Sequence, residues 1–364
     1  MRIIQALPTI SVGDAVSNDT RAIAKILAES GAETGIYAEN LDPRLPRGCA
    51  EKINRLPRLS PEDILIYHAS TGTRMNYDLP KYGGLPVMVY HNITPAVFFR
   101  GYSGWAEKLS RYGYQGICQL ANQVVYCVAD SEFNRQELIR MGFTCPVDVC
   151  PILIPFEDYD QAPDPQIMRQ YQGDGWTNIL FVGRIAPNKK QEDAIRAFHA
   201  YRRRYNPRSR LFLVGSGSGM ELYEKRLKEY VKTLGEEENV IFSGHLKFSG
   251  ILAYYHLADL FLCMSEHEGF CVPLVEAMYF DLPIVVYRST AVPDTLGRGG
   301  LLLEEKDPEL AAAAIHRILQ DEDLRQNLRE GQKEKLAEFS YEAVKARWMN
   351  CIEKMKAIGM GNDA

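Results

Sequence analysis

A chain of 364 residues exceeds what one hydrophobic core usually supports, so two lobes of roughly 150 to 200 residues are expected. Hydrophobic residues at 46% and charged residues at 24% exclude a disordered or fibrous protein, and a formal charge of −5 excludes a dedicated nucleic-acid binder, because it gives no overall attraction for phosphate backbones. The eight cysteines form no C-x-x-C pair and are expected to be reduced thiols of a cytosolic protein; no run approaches the ~18 apolar residues of a spanning helix, and no signal-peptide pattern opens the chain.

From the N-terminus, short β-branched runs at 3–7, 34–38, 64–68, 86–90 and 123–128 alternate with longer segments, including a helical pattern at 19–30. That rhythm implies a parallel sheet. Within this half, Phe98, Phe99, Arg100, Tyr102, Trp105, Lys108, Arg111, Tyr112 and Tyr114 mix aromatic rings with positive charge. The mixture fits a peripheral membrane or lipid-acceptor contact, and it equally fits an aromatic-rich packing segment. Four prolines in 151–165 disfavour helix interiors and central strands, which marks a linker. The alternation then repeats, with strands at 178–182, 210–214, 240–243, 260–264 and 283–286 and helices at 192–204 and after Met220. A charged helical region at 308–338 leads to a last helix at 341–358, whose apolar stripe of Val344, Trp348, Ile352 and Met355 needs a partner surface. The expected division is an N-terminal domain at 1–160, completed by the helix at 341–360, and a second domain at 166–340. Both are α/β, doubly wound parallel sheets, and two such domains facing a central cleft would bind ligand at their strand carboxyl ends.

The most specific segment is E-G-F-C-V-P-L-V-E-A-M at 268–278, directly after the strand at 260–264. Pro273 suits a first helical turn, so the amides of about 270–274 should be unpaired and ready for an anionic diphosphate. Glu268 in the loop and Glu276 one turn into the helix can flank that ligand and accept hydrogen bonds from sugar and ribose hydroxyls. They could equally be a helix cap and a solvated carboxylate. A second segment, G-R-I-A-P-N-K-K at 183–190, places Arg184 and Lys189 on a strand-end loop. Both cations can neutralise charge growing on a leaving diphosphate, or remain solvated.

Together these segments resemble the retaining GT-B glycosyltransferases of the "glycosyl transferases group 1" family, whose pattern is G-R-x-x-P-x-K followed by E-G-F-G-x-P-x-x-E-A-M. The resemblance implies two Rossmann-like domains and a catalytic set of His91, Glu268, Arg184 and Lys189. It also implies donor contacts from Gly13, Gly183, Gly215, Leu246, Gly269, Phe270, Cys271, Val272 and Glu276. Cys271 departs from the family's more frequent glycine. The glycine turn at 215–219 resembles the family's turn beside the nucleoside, but Met220 stands where a dinucleotide fingerprint has its third glycine, so NAD and ATP are not expected. Leu246, in the G-H-L-K segment at 244–247, resembles a base-pocket position, and the neighbouring His245 could equally be surface. His91, in Y-H-N-I-T-P at 90–95, resembles a strand-end histidine near the reacting carbon and could instead be structural. Asp158 and Asp160 form a D-x-D within the linker, so no metal or other cofactor is expected.

By this resemblance the chain is a metal-independent, retaining hexosyltransferase. It would use a GDP- or UDP-sugar of mannose or glucose type and a glycan or lipid-linked glycan acceptor, in bacterial surface polysaccharide synthesis, in the cytoplasm or at the inner face of the plasma membrane. A sugar-nucleotide epimerase or phosphorylase of the same build, and a non-catalytic sugar-nucleotide binding subunit, are the two other readings.

Overall fold

The computed structural model describes residues 1–361, which form two compact units. Unit 1 contains 1–97, 105–155 and the chain from Glu338 onward, which includes the C-terminal helix; unit 2 contains 98–104 and 156–337. The division near the linker falls between Pro155 and Phe156, and Phe156–Asp160 is a 3-10 turn of unit 2.

Unit 1 is a seven-stranded, all-parallel sheet. Its strands are β1 (Arg2–Ile10), β2 (Glu33–Leu41), β3 (Glu51–Lys52), β4 (Ile64–Ala69), β5 (Leu85–Tyr90), β6 (Tyr126–Ala129) and β7 (Val147–Val149). They lie in the order β3-β2-β1-β4-β5-β6-β7. Strands covered on both faces are apolar along their length: every residue of β4 and β6 is buried. One face packs on Ile117 and Leu120 of the helix Gly104–Leu120. The other packs on the last helix, Tyr341–Gly359, whose Val344, Trp348, Ile352 and Met355 are each no more than 1% exposed among Ile3, Ile64, Ile66 and Val89. The stripe at 344–355 thus finds its surface in unit 1.

Unit 2 has six parallel strands: β8 (Thr177–Val182), β9 (Ser209–Val214), β10 (Val240–Gly244), β11 (Leu260–Cys263), β12 (Ile284–Tyr287) and β13 (Leu301–Leu303). Their order is β10-β9-β8-β11-β12-β13. Chain progression reverses direction between β8 and β11, and sheets of this class leave a ligand crevice at the carboxyl ends of that strand pair. The loops leaving β8 and β11 are the two segments that carry the motifs.

Candidate functional site

At the end of β8 the chain turns at Gly183 (φ +150°), whose amide donates to Val214 O at 2.9 Å. Gly215, at the end of β9, also has φ +150°, and a Cβ there would stand 2.0 Å from Gly183 O. Glycine is therefore required at 215 for both the left-handed backbone and the close approach. Arg184 is exposed on the loop. The loop then tightens into a 3-10 turn, Pro187–Lys189, before Lys190 (φ 50°) starts the helix Gln191–Arg204.

Cross-loop hydrogen bonds clamp this segment to the loop after β11. Asn188 Nδ2 donates to His267 O at 3.1 Å and Glu266 N donates to Asn188 O at 2.8 Å. The clamp brings Lys189 Nζ to 2.7 and 2.6 Å from the two carboxylate oxygens of Glu268, with side-chain exposures of 20% and 7%. Burial opposes the charge on Lys189, but Glu268 outweighs it and holds the ammonium above its ordinary pKa. Residues after β12 fix the acidic loop from behind. Thr290 Oγ1 accepts from Glu268 N and donates to Glu268 O, both at 2.8 Å; Thr295 Oγ1 donates to Phe270 O at 2.6 Å and Ser289 Oγ to Ser265 O at 2.7 Å. His267 lies against Phe98 with ring centroids 5.9 Å apart. Burial, reinforced by the Lys189 charge, lowers its pKa to about 4, so the ring is neutral at physiological pH.

Cys271 caps the helix Val272–Tyr279 in the left-handed conformation (φ 73°, ψ 63°), with Pro273 in the first turn. This is the backbone region glycine adopts freely, which accounts for glycine being the easier residue there; cysteine costs about 1–2 kcal/mol. The expectation of unpaired amides across 270–274 is corrected at Leu274, whose N–H is engaged within the first turn, donating to Cys271 O at 3.0 Å. Glu276, five residues after Cys271, is held by two phenols, with Tyr159 OH at 2.7 Å from one oxygen and Tyr255 OH at 2.6 Å from the other. Burial pushes its carboxyl pKa up against the pull of both donors. Asp160 accepts from Tyr279 OH at 2.9 Å. Gly269 and Val272 lie in the same loop and first turn, Leu246 is half-buried after β10, and His245 is exposed.

In unit 1, His91 follows β5 and its side chain is only 1% exposed. Gln5 Nε2 donates to Thr20 O at 3.1 Å, which turns Gln5 Oε1 toward His68 Nε2 at 2.9 Å, so that nitrogen donates. Burial, with repulsion from His91, keeps His68 neutral, so its Nδ1 accepts from His91 Nε2 at 2.9 Å. His91 Nδ1 faces Asp130 Oδ2 at 2.9 Å. Burial disfavours an imidazolium here, but Asp130 outweighs it and raises the His91 pKa. Both ring nitrogens thus have internal partners, and a direct sugar contact requires one of them to be released. Asp19, buried beside this chain, accepts from Leu153 N at 2.8 Å; burial raises its carboxyl pKa to about 7. Gly13 (φ 78°) leads into Asp14, which caps the helix Ala15–Glu29 by accepting from Ser17 N at 2.9 Å.

The structure therefore brings Gly183, Lys189, Glu268, Gly269, Phe270, Cys271 and Val272 together around the β8–β11 reversal, with Gly215 beside it, while His91 and Gly13 belong to unit 1. Sequence reasoning missed Tyr159, Tyr255, Thr290, Thr295, His68 and Gln5. These support the motif residues from remote positions and carry no local signature of their own.

Residues 169–335 match the family model described as "Glycosyl transferases group 1". A curated relative, the O-antigen chain mannosyltransferase B of Escherichia coli, is 25% identical over 294 residues, 79% of this chain and 74% of that protein. A GDP-mannose-dependent alpha-(1-6)-phosphatidylinositol monomannoside mannosyltransferase of Mycolicibacterium smegmatis is 30% identical over 183 residues, 46% of this chain and 47% of its own length. Among solved structures, Anabaena HepE in complex with UDP-glucose superposes with a TM-score of 0.76 at 17% identity, covering 97% of this chain and all of that one. With its signature loops at the β8–β11 reversal, the second unit matches the group 1 glycosyltransferase model, and with its two Rossmann-like sheets the chain has the GT-B fold.

Proposed function

We propose that the chain is a metal-independent, retaining hexosyltransferase that takes a mannose- or glucose-type sugar from a GDP- or UDP-sugar and passes it to a glycan or lipid-linked glycan in surface polysaccharide synthesis. The observation that carries this reading is the Lys189–Glu268 pair, clamped at the sheet reversal with the exposed Arg184 on the same loop. In the resting site each charge satisfies the other. A donor offers each a better partner: its diphosphate takes Lys189 and Arg184, and its sugar hydroxyls donate to Glu268. As the bond to the leaving diphosphate breaks, charge grows on the phosphate oxygens, and the two cations with the start of the helix Val272–Tyr279 stabilise it without an ion. Glu276, held by Tyr159 and Tyr255, takes the ribose. The O-antigen mannosyltransferase and the GDP-mannose-dependent relative favour mannose, and the UDP-glucose complex of HepE keeps a glucosyl donor in view.

The acceptor reading draws support from the helix Gly104–Leu120, which presents Trp105 (72% exposed), Lys108, Arg111 and Tyr112 along one outward stripe. Among the described residues no helix is long and apolar enough to cross a membrane, so attachment would be peripheral, at the cytoplasmic face. The decisive experiment screens GDP- and UDP-sugars for thermal stabilisation, since ligand at 100 times its Kd adds about 2.7 kcal/mol, and then assays transfer from the best donor. Glu268→Ala should keep the fold and lose transfer. Near-normal turnover of that variant would refute the reading, and release of a changed nucleotide sugar without transfer would favour an epimerase.

A further inference from the structure

Beside the Lys189–Glu268 pair lie two thiols whose sulfurs sugar transfer does not use. Cys263 is the last residue of β11, Glu268 is in the loop, and Cys271 caps the following helix; they are 2%, 6% and 6% exposed. One ligand atom from each, two thiol sulfurs and a carboxylate oxygen, lies within 4.8 Å of the others. We propose that Cys263, Cys271 and Glu268 form a binding site for a thiophilic divalent cation of the zinc class, with a water or a donor oxygen as fourth ligand.

The geometry suits such an ion. Zinc–sulfur bonds of ~2.3 Å set tetrahedral ligand–ligand edges of ~3.8 Å, so ligand atoms within 4.8 Å of one another need to close by no more than about 1 Å. The pocket is already arranged around one positive charge, since the Lys189 ammonium touches both Glu268 oxygens. A cation bound there takes that carboxylate and repels the ammonium. Binding forms two metal–sulfur bonds and one metal–oxygen bond and releases two thiol protons to solvent, with no change of oxidation state. Two sulfurs and one oxygen select zinc or cadmium over magnesium or manganese. The other close thiol pair, Cys127 and Cys145 with sulfurs 3.7 Å apart, is joined by no carboxylate or imidazole in a comparable cluster among the described residues. It serves as an internal control.

This inference rests on the donor-site reading only for its consequence: if Glu268 and Lys189 serve the donor, the cation inhibits transfer. The site itself is tested optically. Cadmium added to the reduced full-length chain in chelator-free buffer should produce a thiolate-to-metal charge-transfer band that saturates at one cation per chain. The band should vanish in Cys263→Ala and persist in Cys127→Ala. Cys271→Gly, which suits the left-handed backbone at that position (φ 73°), should also lose it and guards against misfolding of the first variant. A wild-type chain without the band, or a band unchanged in both Cys263→Ala and Cys271→Gly, overturns the proposal. A band that follows both cysteines while saturating zinc leaves transfer unaffected establishes the cation site and removes Glu268 from the donor site.

Discussion

Replacing Lys189 with methionine keeps most of the side-chain volume and removes the ammonium that lies 2.6–2.7 Å from both oxygens of Glu268. The carboxylate left behind is 7% exposed, and breaking a buried pair by removing one partner costs about 3–5 kcal/mol. Lys189 itself keeps 20% exposure, so water reaches the pair and the lower end, ~3 kcal/mol, is the expected loss. For a unit of this size that lowers Tm by roughly 6–12 °C. Adding Glu268→Gln to Lys189→Met should recover most of the stability, because the amide carries no charge to strand. Differential scanning fluorimetry of the wild type, both single variants and the double variant closes the cycle. A Lys189→Met protein that melts within a degree of wild type at pH 8, or a double variant no more stable than the single, would refute the claim that the two charges depend on one another.

Gly215→Ala should abolish donor-induced stabilisation, because its Cβ would stand 2.0 Å from Gly183 O and push apart the loops of β8 and β9; an unchanged nucleotide-sugar titration speaks against that packing. Tyr255→Phe removes one of two donors to Glu276, and by loss of about one hydrogen bond should raise donor KM roughly five- to tenfold with kcat little changed; a fall in kcat at constant KM contradicts a ribose role. Asp19 has a folded pKa of about 7 against 3.8 unfolded, so the native state holds the extra proton between those values and stability should fall as pH rises from about 4 to 7. Asp19→Asn keeps an acceptor for Leu153 N and should flatten that decline, as urea unfolding across the range will report. Charge reversal of Lys108 with Trp105→Ala should weaken sedimentation with anionic vesicles while leaving thermal stability unchanged; equal sedimentation disconnects the exposed stripe from lipid.

The sheet pattern was legible because parallel strands covered on both faces read as unbroken apolar runs: 64–68 and 86–90 were placed to within a residue of β4 and β5. The edge strands β3, β7 and β13 escaped because two or three residues carry no periodicity, and the polar Glu51–Lys52 is exposed. The helix Gly104–Leu120 was hidden by glycines that discourage a helical reading. Gly113 serves packing there: its Cβ would lie 2.8 Å from the backbone of Gly72. The two motif loops could be recognised because each motif is contiguous and follows a strand. Their supports could not. Tyr159 and Tyr255 reach Glu276 across 117 and 21 residues of sequence, and His68 and Gln5, which set the proton positions on His91, lie within apolar strands and resemble ordinary core positions.

The most direct test of the account is sugar transfer from the nucleotide sugar that best stabilises the protein, measured after exhaustive treatment with EDTA and again after adding manganese. Lys189, Arg184 and the start of the helix Val272–Tyr279 are proposed to carry the leaving diphosphate unaided, so the rate should be the same in both conditions. Activity that collapses in chelator and returns with manganese would contradict that proposal.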